Sequence, residues 1–201
     1  TKPFVVVATR LADGERTVFA RGNTGQAVRA SSSVPGVIQP ITIGKYHFVD
    51  GGIVSPVPVD AARQLGADIV IAVDISNKAR GQTPGDMLGT LGQSIAIMGQ
   101  KLGQAELARA DVVIRPQVLD IGSADFSQRA NAILEGEKAA LAVMPQIRER
   151  VAQLQAERAN AARAAQQKAA EAQYQTCLEK RSSLQKLAGM ARLDDSCTAP
   201  K

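Results

Sequence analysis

The sequence is poor in the side chains on which metal, redox and aromatic sites depend. Its 201 residues include no Trp, a single His and two Cys, and only 3% of them are aromatic. Cys177 and Cys197 are too few for a zinc site by themselves, since such sites use about three or four protein ligands. Neither a Gly-x-Gly-x-x-Gly dinucleotide motif nor a phosphate-binding loop occurs. The sequence therefore predicts no metal and no cofactor, and it requires a core of aliphatic side chains.

Long apolar runs are also lacking, and the positive charge is unevenly distributed. No stretch of about 18 apolar residues, the minimum for a membrane-spanning helix, is present. Residues 145–201 contain ten Lys or Arg and six Asp or Glu, which accounts for +4 of the net charge of +5. This basic tail predicts either peripheral contact with an anionic membrane surface or an ordinary solvated helix face, because acidic residues are interleaved. No nucleic-acid partner is expected.

One stretch of the sequence combines a strand pattern, a carboxylate, two glycines and two prolines. Residues 46–49 run as an apolar strand into Asp50, and Gly51 and Gly52 follow at once. The glycines allow backbone angles that other residues avoid, and the prolines, one residue apart, fix φ. This pattern predicts a carboxylate held rigidly at the end of a strand, where α/β proteins bind ligands. The alternative is an ordinary Asp-Gly-Gly turn.

Periodicity and turn residues predict a chain of mixed strands and helices. Strands are expected at 4–9, 17–21, 41–43, 46–49, 68–75 and 111–115, and helices at 23–32, 59–65, 87–108 and 126–144. The aliphatic run at 68–75 is typical of a strand buried on both faces, and with the preceding strand and helix it predicts a parallel βαβ unit. A long projecting helix with an alanine stripe is expected next. A short returning helix should then carry Leu178, Leu184, Leu187 and Leu193.

In order and spacing, three blocks of the sequence resemble the bacterial patatin-like acyl hydrolases, the patatin-like phospholipase family. The blocks are Arg-Ala-Ser-Ser-Ser-Val-Pro-Gly at 29–36 followed by Pro40, the Asp-Gly-Gly turn at 50–52, and residues 56–74. The resemblance covers residues 4–75 closely and residues 88–141 loosely. It implies an α/β, three-layer patatin-like fold with a mainly parallel sheet, followed here by a long C-terminal helical extension.

The resemblance also implies a reaction and a set of site residues. In that family a Ser-Asp dyad does the chemistry, with the serine in a Gly-x-Ser-x-Gly elbow and the aspartate in an Asp-Gly-Gly or Asp-Gly-Ala turn. Asp50 takes the position of the catalytic aspartate, Gly51 and Gly52 form the active-site turn, and Ser32 and Pro35 line the site. The implied activity is hydrolysis of lipid acyl esters, as by a phospholipase or esterase, through an acyl-serine intermediate. No metal or cofactor is required.

The nucleophile part of the family pattern is missing. No Gly-x-Ser-x-Gly occurs, and the glycine-rich oxyanion loop is absent too. We therefore expect residues 1–144 to be the C-terminal part of a patatin-like hydrolase domain and residues 145–201 to be a helical tail. The missing N-terminal half of the same protein is then the partner that supplies the serine, and this chain alone is inactive. The strand at 4–8 should lie beside a gap, with unpaired backbone groups.

Other candidate catalytic residues are excluded by their positions in the predicted helices and strands. Gly92-Gln93-Ser94 resembles an elbow, but it lies inside a predicted helix with no strand before it. The serines at 31–33 follow a helix instead of a strand. His47 lies three residues before Asp50, so the two side chains should point to opposite faces of an extended strand. The carboxylate of Asp74, at the end of a strand, should accept hydrogen bonds from nearby backbone.

The residues leave two questions open. Cys177 and Cys197 either form a disulfide, which an oxidising compartment permits, or remain two reduced thiols. A bacterial periplasmic or membrane-associated location is favoured over a cytoplasmic one. The chain itself either contributes the base to a hydrolase or is a non-catalytic interaction module built on a degenerate or truncated hydrolase half. A Gly-x-Ser-x-Gly after a strand in the gene sequence upstream of Thr1 would distinguish the two functions.

Overall fold

A computed structural model of the chain describes residues 3–76, 85–122 and 125–188, together with Cys197. The chain divides into two compact units, Thr1–Ile147 and Arg148–Lys201. This division lies close to the boundary between residues 144 and 145 at which the sequence predicts the tail to begin. The candidate site and both sheets belong to the first unit.

Four antiparallel strands form the first sheet. They are β1 (Val6–Arg10), β2 (Arg16–Phe19), β3 (Ile41–Ile43) and β4 (Tyr46–Asp50), in the order β2-β1-β4-β3. Tight turns join β1 to β2 and β3 to β4, and Gly14 and Gly44 take positive φ angles of 73° and 62° in them. The strands of each hairpin are therefore antiparallel, because a parallel pair needs a connection of about a dozen residues or more.

Helix α1 (Thr24–Ser31) covers one face of this sheet. The side chain of Asn23 caps its first turn by accepting a hydrogen bond from the backbone N–H of Gln26 at 3.0 Å. Ala30 of the helix is buried against Ala8 and Phe48 of the sheet, and the rings of Phe19 and Phe48 meet edge to face, with centroids 5.1 Å apart. Small aliphatic side chains and two phenylalanines therefore form this core.

A second, two-stranded sheet and two helices follow in the first unit. Helix α2 (Val59–Gln64) precedes β5 (Ile71–Val73), and α3 (Met87–Leu107) connects β5 to β6 (Val112–Ile114). The two strands pair in parallel, as a crossover helix between them requires. Their core is the cluster of Val59, Val70, Ala72 and Leu107.

The α/β class is confirmed, but the prediction of a mainly parallel sheet is wrong for the strands described. Among the described strands, only β5 and β6, which α3 connects, pair in parallel; every pair in the first sheet is antiparallel. The predicted parallel pair across α2 does not form, since β4 and β5 belong to different sheets. The strand predicted at 68–75 is shorter and is not buried on both faces. Ile71 and Val73 are 42% and 51% exposed, while the alternate residue Ala72 is buried.

The expectation that the first strand borders a gap is wrong for Ala8, Thr9 and Arg10, which pair on both sides. Strand β1 pairs with β2 on one side and with β4 on the other, where the last pair joins Ala8 to Asp50. Val6 and Val7 therefore extend past the end of β4, beside the turn that follows Asp50. The first sheet extends on both sides of β1, and the site lies where β4 stops.

Helix α4 runs without interruption from Arg129 to Ala188. It includes Pro145, and no Gly or Pro occurs between residues 146 and 188 to end it. The predicted short returning helix is therefore wrong for Leu178, Leu184 and Leu187, which continue α4; Leu193 lies outside the described residues.

A disulfide joins Cys177 and Cys197 in the second unit, with their Cα atoms 6.0 Å apart. Most side chains of α4 in this unit are exposed. Within the described parts of the chain, no helix is both long enough and apolar enough to cross a membrane.

Candidate active site

The backbone of Asp50 is held on two sides at the end of β4. Its N–H donates to the carbonyl oxygen of Ser33 at 3.0 Å, just after α1. Its carbonyl oxygen accepts a hydrogen bond from the buried hydroxyl of Thr9 on β1 at 2.8 Å. The backbone that carries the Asp50 carboxylate is therefore fixed, as the sequence predicts for a carboxylate at the end of a strand.

The carboxylate of Asp50 caps the short 3₁₀ turn Gly51–Ile53. Its Oδ1 accepts a hydrogen bond from the backbone N–H of Gly52 at 2.7 Å. Oδ2 has no hydrogen-bond partner among the residues that the structure describes, and the side chain is half-buried. One oxygen is thus oriented by the turn, and the other can take a proton from a group that approaches it.

Close contacts with other atoms explain the two glycines of this turn. A Cβ on Gly51 would lie 2.3 Å from the carbonyl oxygen of Val7, and one on Gly52 would lie 3.0 Å from Oδ1 of Asp50. Neither glycine is among the residues with positive φ. The expectation that they supply unusual backbone angles is therefore wrong, and the reason for two glycines is that β1 and the carboxylate approach the turn closely.

Asp50 and both glycines line a cavity of about 500 Å³. Most of its wall is apolar, and Ser32 is part of it; the other lining residues are Phe4, Val5, Val6, Val7, Val28, Ser31, Ser55, Pro56, Pro58, Ala61 and Ala62. Pro35 is exposed and does not line this cavity. The space is of the size that small-molecule ligands occupy, with a few polar groups on an apolar surface.

Ser33, which is buried near the turn, and Ser94 of the elbow-like motif both have structural partners. The hydroxyl of Ser33 donates to the carbonyl oxygen of Arg29 at 2.8 Å and accepts from the Arg29 guanidinium at 2.6 Å. Ser94, in the elbow-like Gly-Gln-Ser, lies inside α3 and donates to the carbonyl oxygen of Thr90 at 2.8 Å. The sequence prediction that this motif is part of a helix is confirmed.

His47 and Asp74 also lie where the sequence predicts. His47 is exposed, does not line the cavity, and its Nδ1 is 2.9 Å from the hydroxyl of Thr42 on β3. Asp74 accepts hydrogen bonds through Oδ1 from the backbone N–H and the hydroxyl of Ser76, at 3.1 and 2.5 Å. It also pairs with Arg115 at 3.4 Å. Both side chains therefore have partners outside the Asp50 cavity.

Sequence reasoning missed Glu106. This residue of α3 is only 6% exposed, and both of its carboxylate oxygens accept hydrogen bonds from the segment after Asp50. The donors are the hydroxyl of Ser55 at 2.5 Å and the backbone N–H of Val57 at 2.9 Å. The only sequence signal is an acidic residue between Ala105 and Leu107, which does not reveal its partners about 50 positions away.

No metal site accompanies these residues in the described ranges. Among them, no group of three or more His, Cys, Asp or Glu side chains is arranged to hold a metal ion. Another open cavity, of about 550 Å³, is lined mainly by apolar residues of β5, the segment after β6 and the start of α4. It contains neither Asp50 nor Glu106.

Comparison with known proteins identifies the segment around Asp50. Residues 2–63 match the family model described as patatin-like phospholipase. An uncharacterized NTE family protein of Mycobacterium bovis is 38% identical over 79 residues, which cover 39% of this chain and 22% of that protein. Another, of Mycobacterium tuberculosis, is 28% identical over 166 residues, covering 70% of this chain and 28% of that protein. Patatin-like phospholipase domain-containing protein 7 of Mus musculus is 32% identical over 78 residues, which cover 38% of this chain and 6% of that protein.

The chain thus spans less than a third of the length of each of these relatives. The matched family segment contains β1 to β4, the Asp50 turn and nearly all of α2. Its geometry, a strand-end carboxylate beside an apolar cavity, agrees with the resemblance seen in the residues. Over residues 2–63, this chain is therefore similar to the patatin-like phospholipase family.

Proposed function

We propose that this chain carries the general base of a lipid acyl hydrolase that uses a Ser-Asp dyad, and that Asp50 is that base. One observation carries the proposal. The Asp50 carboxylate is fixed through Oδ1 to the Gly52 N–H, lines an apolar cavity, and keeps Oδ2 without a partner among the described residues. A serine nucleophile is weak until a base removes its proton, and this carboxylate is prepared to do so.

The reaction has two steps, and Asp50 moves a proton in each. The serine oxygen bonds to the acyl carbonyl carbon while its proton passes to Oδ2, and the alcohol leaves with that proton. Water then attacks the acyl-serine, gives its proton to Asp50, and the acid is released as the serine recovers the proton. No further reactant is needed.

We place the serine and the oxyanion donors outside these 201 residues. The sequence has no Gly-x-Ser-x-Gly, and the relatives are much longer than this chain. Residues 1–144 then form the C-terminal part of a three-layer patatin-like domain whose nucleophile segment contacts the Asp50 cavity. The apolar wall that includes Phe4, Val6 and Val28 fits an acyl chain better than a polar substrate.

The test is steady-state hydrolysis of short-chain aryl esters by the protein in which these residues are joined to a serine elbow. Asp50→Asn should lower kcat by about 10²–10⁴, the usual contribution of a positioned base. Asp74→Asn is the matched control, because Asp74 also follows a strand but does not line the cavity. It should retain the rate of the unchanged protein. A folded Asp50→Asn protein with full activity would refute the proposal and favour a non-catalytic interaction module.

A further inference from the structure

Glu106 is a buried carboxylate for which the proposed reaction has no use. It lies on α3, far from Asp50 in sequence, yet its hydrogen bonds within the described ranges all go to the segment that follows Asp50. A charged group removed from water must be matched by hydrogen bonds, and here Ser55 and Val57 supply one to each oxygen. The carboxylate therefore ties α3 to this segment at two adjacent points.

A short series of contacts connects Glu106 to the Asp50 carboxylate. The Ser55 hydroxyl bonds to Glu106, and the Ser55 N–H donates to the carbonyl oxygen of Gly51 at 2.9 Å. Gly51 begins the 3₁₀ turn whose next residue, Gly52, donates to Oδ1 of Asp50. The Gly52 N–H, which orients the Asp50 carboxylate, thus lies in a turn that is fixed at both ends. The end of β4 fixes one end, and the bond from Ser55 to Glu106 fixes the other.

The helix and the segment after Asp50 are also packed closely one turn before Glu106. A Cβ on Gly103 of α3 would lie 3.5 Å from Cγ of Pro56 and 4.0 Å from a methyl of Val57. Gly103 and Glu106 share one face of the helix, three positions apart. Ser55, Pro56 and Pro58 line the cavity together with Asp50. Helix α3 therefore supports this part of the cavity from behind.

We propose that Glu106 is a positioning residue that sets the orientation of the Asp50 carboxylate by fixing residues 51–57 against α3. The effect on catalysis rests on the proposed function, whereas the fixing of the turn by Glu106 does not depend on it. The end of β4 holds one side of the turn through Ser33 and Thr9. Without Glu106, the other side is free to relax, and the Gly52 N–H moves relative to Oδ1.

The first measurement is amide hydrogen exchange in the 201-residue chain, which needs no activity. Glu106→Gln keeps the side-chain volume but removes the charge, so its oxygen can still accept from the Val57 N–H while the Ser55 hydroxyl has to turn and accept from the new NH₂. Two charge-assisted hydrogen bonds are thereby replaced by two weaker neutral ones. Exchange at Gly52 and Ser55 should become faster by about tenfold, the factor that corresponds to roughly one net hydrogen bond. Exchange at Ala8, which is fully buried and pairs with Thr17 of β2, should not change.

Asp60→Asn is the matched control. The Asp60 carboxylate makes a two-bond contact with Arg109, just beyond the end of α3, so it also joins α2 to this region. Among the described residues its carboxylate has no hydrogen bond to residues 51–57, and exchange at Gly52 should equal that of the unchanged chain. If Glu106→Gln does not fold, Ser55→Ala removes one of the two bonds and should accelerate Gly52 exchange in the same direction. Unchanged Gly52 exchange in the folded variant would overturn the inference.

The second measurement separates positioning from a general loss of structure. In the ester-hydrolysing protein, Glu106→Gln should lower kcat by a larger factor than it raises KM, since the base is misaligned while Phe4, Val6 and Val28 of the apolar wall remain in place. Ser55→Ala should lower kcat less. A rise in KM with kcat unchanged would contradict the positioning role. If Asp50→Asn retains full activity, the proposed function fails, and the exchange result still decides whether Glu106 fixes the turn.

Discussion

At the residue scale, the Asp50 turn depends on space more than on backbone angle. Gly51 and Gly52 have no positive φ, but β1 and the Asp50 carboxylate lie where side chains would have to fit. Sequence patterns alone cannot separate these two reasons for glycine, because both place Gly at the same positions. The distinction matters, since a positive φ tolerates Asn in part, whereas a Cβ blocked by backbone, as at Gly51, requires the backbone to move for any other residue.

Gly51→Ala should destabilise the first unit. The new methyl would lie 2.3 Å from the carbonyl oxygen of Val7, so the backbone of β1 or of the turn has to move. We expect a loss of roughly 1–3 kcal/mol in the free energy of unfolding, as for other overpacked sites. Gly92→Ala is the control, since no atom lies within 4 Å of its added Cβ. Replacement of Gly by Ala in an exposed helix should raise the free energy of unfolding by about 1 kcal/mol. Urea unfolding of both variants measures these free energies. A Gly51→Ala chain as stable as the original would contradict this account.

Residues with local signals could be predicted, and residues with distant partners could not. Asp50 is recognisable because strand, carboxylate and glycines are adjacent in sequence. The place of Asp74 also follows from the strand before it. Glu106 carries no such signal, because its partners Ser55 and Val57 are brought to it only when α3 packs on the segment after Asp50.

At the element scale, the hairpins and helices follow from local sequence, whereas the pairing of the strands does not. The hairpin at 41–50, helix α1 and helix α3 form close to their predicted limits, because turn glycines, an Asn cap and helical periodicity are local features. Which strands become neighbours depends on contacts between distant segments. The sheet predicted to be mainly parallel is therefore mostly antiparallel, and β5 is half exposed.

Two ion pairs between α2 and the segment before β6 should differ in their effect on stability. Asp111 pairs with Arg63 and also accepts the Val70 N–H at 2.8 Å, and its side chain is largely buried. Asp60 pairs with Arg109 at an exposed position. We expect Asp111→Ala to cost about 2–3 kcal/mol, below the range for fully buried pairs because Arg63 is partly exposed, and Asp60→Ala to cost at most about 1 kcal/mol. Equal losses in denaturant unfolding would be inconsistent with this difference in burial.

At the scale of the whole molecule, the two units differ in how they are stabilised. The first unit has two buried clusters, around Ala8 and around Val59. In the second unit, α4 exposes most of its side chains and has many alanines, which favour helix but bury little area. The disulfide between Cys177 and Cys197 adds a covalent constraint there, worth roughly 3 kcal/mol in the chain-entropy model.

Amide exchange should therefore be faster in α4 beyond Arg148 than in the first sheet. Residues 151–170 have few buried apolar contacts, so they should open locally at a lower free energy than Val7 or Val49. Reduction of the disulfide should accelerate exchange around Cys177 and leave β1 and β4 unchanged. Protection at 151–170 equal to that of Val7 would show that the long helix is stabilised by contacts that its exposure does not reveal.

The central claim is that Asp50 activates a serine, and the rate at which that serine reacts tests it most directly. A fluorophosphonate attacks only an activated serine and requires no knowledge of the natural lipid. In the protein that unites these residues with the serine elbow, Asp50→Asn should slow labelling by about 10²–10⁴, because the positioned base is lost. Asp74→Asn should label at the original rate. A folded Asp50→Asn protein whose serine is labelled as fast as the original would contradict the account.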